Sequence, residues 1–114
     1  MKHMIIVYTT SPDIETARKL AQGLIGERLA ACAHIGAPIE AIYRWQGQTE
    51  TAQEIPLTIK TMRSRYPALQ SWLLAHHPYE VPEIVAVDVI EASPAYCRWM
   101  QSQTEIDSGE PIPL

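Results

Sequence analysis

Apolar positions along the chain alternate between two periods. Ile5-Ile6-Val7-Tyr8-Thr9-Thr10 is β-branched and aromatic, apolar on both faces at its centre, and predicts a buried strand. Ser11-Pro12-Asp13 then supplies an N-cap, a proline at the first helical position and an acid in the first turn. Ile14, Ala17, Leu20, Ala21, Leu24 and Ile25 recur at helical spacing, with Glu15, Arg18, Lys19 and Gln22 outside and a stop either at Gly26 or a few residues later. Ala30 to Ile35 admits either an extension of that helix or a new strand, punctuated by Gly36 and Pro38. From Ile39 the period is two: Ile39, Ala41, Tyr43 and Trp45 alternate with Glu40, Ile42, Arg44 and Gln46. Gln46-Gly47 reads as a tight turn, since glycine admits the positive φ that hairpins need. The return arm is weakly patterned from Gln48 to Gln53 and firm at Ile55, Leu57, Ile59 and Thr61, opposed by Pro56, Thr58, Lys60 and Met62. Pro56 lacks an N–H, which predicts an edge or a bulge.

Ser64 is placed to cap a second helix, with Tyr66, Leu69, Trp72, Leu73 and His76 at helical spacing. Pro78 disfavours the α region for His77, and Pro82 does the same for Val81, so the helix should stop at His77 and the chain should run extended. Ile84 to Ile90 is nearly all Val, Ile and Ala, broken by Asp88, and predicts a central strand. Ser93-Pro94 repeats the Ser-Pro helix start, and Tyr96, Trp99 and Met100 give the short last helix an apolar side. From Thr104 onward there is no period, and residues 104–114 are expected to be a flexible tail on a domain of residues 1–103. The resulting order, β-α-β-β-α-β plus a terminal helix, is the α+β ferredoxin-like arrangement. Its middle hairpin, Ile39 to Met62, is long for the chain. A two-stranded ribbon is marginal alone and its edges invite pairing, so the hairpin predicts an obligate oligomer.

Composition narrows the function. A chain of 114 residues holds one core. Net charge is −4 with nine Lys and Arg and no basic run, which argues against a nucleic-acid partner. No apolar run approaches the roughly 20 residues that span a bilayer, and the apolar start is too short for a signal peptide, so a cytoplasmic, membrane-free protein is expected. Cys32 and Cys97 make no disulfide framework and read as thiols packed in the core. There is no CxxC, HExxH or glycine-rich phosphate loop. Ser11, Ser64 and Ser93 read as caps rather than nucleophiles, and nothing points to an enzyme.

Five segments together resemble one family. They are Thr9-Thr10-Ser11-Pro12-Asp13, Arg28-Leu29-Ala30-Ala31-Cys32, Ile42-Tyr43-Arg44-Trp45-Gln46-Gly47, Lys60-Thr61 and His77-Pro78-Tyr79-Glu80-Val81-Pro82-Glu83-Ile84, spread over about residues 4 to 103. The chain resembles the CutA divalent-cation tolerance proteins. The resemblance implies a ferredoxin-like subunit, a cyclic homotrimer joined through its strands, and an architecture shared with PII signalling proteins. Some members have a cysteine where this chain has Thr9, and copper binding has been proposed there together with the histidine pair. Without that soft thiolate, His76 and His77 suit Cu(II) or Zn(II) better than Cu(I). The family's acidic hairpin segment is thinned here to Glu50 and Glu54.

Three groups of side chains are candidates for chemistry. His76 and His77 are metal-ligand candidates, yet neighbours on a helix point about 100° apart, so sharing an ion needs the helix to end between them. His76 also fits the apolar face, and His77 suits a helix C-terminus. Lys60, Tyr79, Glu80 and Glu83 form a second group, which by resemblance lies near a cleft between subunits and reads either as an ion-paired wall or as an anion site. Tyr43, Arg44 and Trp45 read as trimer interface. The expected function is non-catalytic, trimeric metal tolerance with copper foremost. The alternative is a PII-like small-molecule sensor or scaffold with an anion-binding cleft.

Overall fold

The computed structural model describes residues 3–105. Its elements are β1 (Met4–Ser11), α1 (Ile14–Gly26), β2 (Cys32–Ile35), β3 (Ile39–Trp45), β4 (Gln48–Met62), α2 (Tyr66–His76), β5 (Val85–Asp88) and α3 (Pro94–Thr104). The fold is α+β, with helices packed on a wholly antiparallel sheet in the order β2-β4-β1-β5, and with β3 paired to the far half of β4. Each of the first two helices joins strands that flank a third: α1 leads from β1 to β2 around β4, and α2 from β4 to β5 around β1.

Two cores follow from the strand alternation. Ile5, Val7, Ile55, Leu57 and Ile59 face α1 and α2 and pack on Leu20, Leu24, Leu69 and Leu73. Gly23 lets the helices meet, because a Cβ there would collide with the Trp72 ring. On the opposite face Met4 and Met62 pack beneath Met100 of α3. The middle of that face carries exposed Tyr8, Val85 and Val87.

Several local expectations shift for identifiable reasons. Asp13, not Ser11, is the N-cap of α1: its carboxylate accepts from Thr16 N–H at 2.7 Å, and this bond lowers its pKa. Ser11 is instead the last residue of β1, buried, its hydroxyl donating to the Asp13 carbonyl. Helix α1 does stop at Gly26, through a Schellman closure in which Arg28 N–H reaches Ile25 O and Leu29 N–H reaches Leu24 O. The left-handed residue there is Arg28, at φ 57°. Ser64 caps nothing; it lies in a 3-10 turn, Arg63–Arg65, that feeds α2. Ser93 caps α3 as expected, accepting from Tyr96 N–H.

In the hairpin, Gln46 and Gly47 both have positive φ, 49° and 79°, the two-residue turn that matches strand twist. The weakly patterned return arm is a full strand, because β4 runs unbroken from Gln48 to Met62. Pro56 lies in the middle of this central strand rather than at an edge. Its carbonyl accepts from Gly36 N–H, so its missing N–H also faces the interruption between β2 and β3. The Ile84–Ile90 segment is not central: only Val85–Asp88 is strand, it pairs with β1 alone, and Val85 and Val87 stay 50% and 46% exposed. Thr104, expected in the tail, instead ends α3 and is buried, with its hydroxyl on Met100 O; residues 106–114 of the expected tail lie outside the described residues.

Candidate functional site

The end of α2, set by Pro78, separates the two histidines. Helix α2 ends at His76, and His77 is extended at φ −77° and ψ 136°. His77 turns inward and is buried, with Nε2–H donating to Thr10 O at 2.7 Å and Nδ1 accepting Tyr79 N–H at 3.1 Å. A carbonyl can only accept and an amide N–H can only donate, so these partners fix the tautomer and use both ring nitrogens. His76 points outward. Its Nδ1–H donates to Trp72 O at 2.8 Å while the ring stacks on Trp72 at 4.0 Å, so it is a surface side chain and not part of the apolar face. A donated Nδ1–H is the usual second bond of a histidine that ligates metal through Nε2. Nε2 of His76 takes no hydrogen bond among the described residues.

The extended connector presses Tyr79 against β4. Tyr79 O–H and Thr10 Oγ1–H both donate to Glu54 Oε2 at 2.8 Å. Burial, and then the Glu54 carboxylate, push the Tyr79 phenol well above its ordinary range, so it remains a donor. Glu54 is buried among neutral donors, which satisfy one oxygen, and the residue lines an open cavity of about 640 Å³. Tyr43, Trp45, Tyr79, Glu80 and Glu83 line the same cavity. Glu54 is the member that sequence reasoning missed. Its signal was its position at the root of the hairpin, opposite Ile39, where the exposed ribbon meets the core.

Lys60 is not in this group. It lies six residues along β4 from Glu54, roughly 20 Å at ordinary strand rise. There it pairs with Cys32 and Ile6, with its ammonium 5.8 Å from the Tyr96 ring. The strand that links the two positions also holds them apart. Arg44 does not line the cavity, whereas Tyr43 and Trp45 do, both partly exposed. Thr9 is buried on the helix-covered face, and its hydroxyl finds no partner among the described residues. Cys32 Sγ lies 3.4 Å from His34 Nε2 on the opposite face. Among the described residues no three His, Cys, Asp or Glu side chains converge as a metal cage.

These placements can be set beside known proteins. A family model described as CutA1 divalent ion tolerance protein matches residues 5–103. The chain belongs to the CutA1 divalent ion tolerance family. A divalent-cation tolerance protein CutA of Thermus thermophilus is 42% identical over 99 residues, 87% of this chain and 96% of that protein. A chloroplastic CutA of Arabidopsis thaliana is 38% identical over 100 residues, 88% of this chain but 55% of that longer protein. Among solved structures, the CutA1 of Ehrlichia chaffeensis superposes with a TM-score of 0.88 at 28% identity, covering 93% of this chain and 99% of that one. The CutA1 fold therefore holds across chains that differ at most positions. No helix among the described residues is long and apolar enough to cross a membrane.

Proposed function

We propose that this CutA1-family chain acts in divalent-cation tolerance as a non-catalytic cytoplasmic homotrimer of ferredoxin-like, PII-like subunits that binds Cu(II) or Zn(II) through His76. One observation carries the ligand assignment: His76 donates Nδ1–H to a backbone carbonyl and leaves Nε2 outward, while both nitrogens of His77 are engaged. One imidazole per chain is a weak ligand set, so tight binding needs donors from neighbouring subunits. The trimer is supported by the unsupported ribbon of β3 and β4 and by the apolar edge at Val85 and Val87.

Titration calorimetry with Cu(II) and with Zn(II) tests the assignment. His76→Ala is expected to abolish the site and His77→Gln to leave it. Equal binding by wild type and His76→Ala would overturn it. Light scattering tests the assembly, and a stable monomer at micromolar concentration would contradict it.

A small-molecule cleft is a second reading, favoured by the cavity at the hairpin root. Its chemistry differs from that of an anion site. Glu54, Glu80 and Glu83 line it beside Tyr43 and Trp45, and Lys60 is elsewhere, so the lining suits a cationic molecule.

A further inference from the structure

Sulfur is concentrated at the end of the sheet opposite the hairpin. Three of the chain's four methionines, Met4, Met62 and Met100, meet there with one of its two cysteines, Cys97. Met4 and Met62 are direct partners across β1 and β4, and Met100 and Cys97 descend on them from α3. Cys97 Sγ–H is directed at Met4 Sδ, 3.4 Å away. The methionines are buried, at 4% exposure or less, yet the cluster is not sealed. An open cavity of about 610 Å³ has Met4, Met62 and Cys97 on its wall, together with Asp88 and Glu91. Packing alone does not call for this composition, since Leu fills such positions with better-defined rotamers. A thiol and thioethers sharing one accessible wall form a soft donor set, the kind that selects Cu(I) over harder divalent ions.

We propose that Cys97, Met4 and Met62 form a Cu(I) site separate from His76. Binding breaks the Cys97 S–H bond, releases the proton to solvent and forms a Cu–S bond, with the two thioether sulfurs completing the coordination. The copper enters as Cu(I) and its oxidation state does not change. The proposal rests on the tolerance reading for the choice of ion and not for its ligands. It gives the chain a place for the reduced ion although Thr9 carries no thiolate.

Anaerobic competition for Cu(I) against a chromogenic chelator, with ascorbate present, tests this on the full chain. Wild type is expected to withdraw one Cu(I) per chain. Met4→Leu/Cys97→Ala should weaken binding by more than about 100-fold, beyond what loss of a merely supporting contact costs. Cys32→Ala should leave Cu(I) affinity unchanged. Copper X-ray absorption on the wild type gives a readout independent of how the variant folds, and sulfur scatterers are expected. Undiminished affinity in the double variant, or nitrogen and oxygen ligands alone, would overturn the site. Cu(II) binding lost in His76→Ala beside an unaffected Cu(I) titration in the sulfur variant would remove this site and leave the proposed function standing.

Discussion

The two halves of β4 are one continuous strand in two environments. From Ile55 to Met62 it lies between β1 and β2, and Ile55, Leu57 and Ile59 are buried against the helices. From Gln48 to Glu54 it has only β3 beside it, and its outer residues, Gln48 through Thr51, are exposed. The backbone hydrogen bonding is of the same kind in both halves. What differs is the number of bodies packed on the strand, and the residues follow: Ile, Leu and Ile in one half, Gln, Thr, Glu, Thr and Gln in the other. A ribbon extended over a molecule 52 Å long and 28 by 23 Å across is not held by its own subunit's core. The boundary falls at Glu54, where the candidate cavity opens.

The largest expected effect tests that contrast directly. Leu57→Ala removes a side chain that is 1% exposed and should cost about 3 kcal/mol, the middle of the range for core truncations. Thr51→Ala, on the exposed ribbon three positions outside the boundary residue Glu54, should stay within about 0.5 kcal/mol. Denaturant unfolding at matched protein concentration measures both. A large cost at Thr51 would show that the ribbon is packed in solution as tightly as the core.

This contrast also explains what the sequence could convey. β1, α1, the Gln46-Gly47 turn and the break at His77 depend on neighbours within a few residues, and all were legible. The cap of α1 was misplaced because Ser11 and Asp13 are both cap residues, and only the end of β1 decides between them. Val85 and Val87 read as a central strand because apolar residues on both faces look alike whether a sheet or another surface covers them. Lys60 and Glu54 share a strand, and their separation along it was readable from strand rise alone. The role of Glu54 was not, because it depends on the register that sets Thr10 opposite Pro56 and on a connector folded back from residue 79.

A smaller effect is expected at the boundary itself. Tyr79→Phe removes one of two donors to Glu54 and should cost about 1 kcal/mol at neutral pH, below the usual range for a bond to a carboxylate because the ring is half-buried and solvent screens the contact. The pH dependence has a definite sign. The folded-state pKa of Tyr79 is raised, so its contribution is complete below the ordinary tyrosine value near 10 and is lost as pH rises beyond it. Wild-type stability should therefore fall more steeply than that of Tyr79→Phe above about pH 10. Parallel curves through that window would show that the phenol is no more buried than the ribbon tyrosine Tyr43.

The smallest effect has the opposite direction and lies on β1, facing the core half of β4. Thr9 is 1% exposed opposite Leu57, and its hydroxyl has no partner among the described residues. A buried hydroxyl left unpaired loses its hydration without compensation, whereas a methyl in the same place does not. Thr9→Val keeps the branched shape and the strand preference, so it should stabilise the chain by about 0.5 kcal/mol. A raised denaturation midpoint at an unchanged slope would confirm the gain. Unchanged or lower stability would mean that the hydroxyl is satisfied in solution. The wall of the core half would then be less dry than the contrast with the ribbon requires.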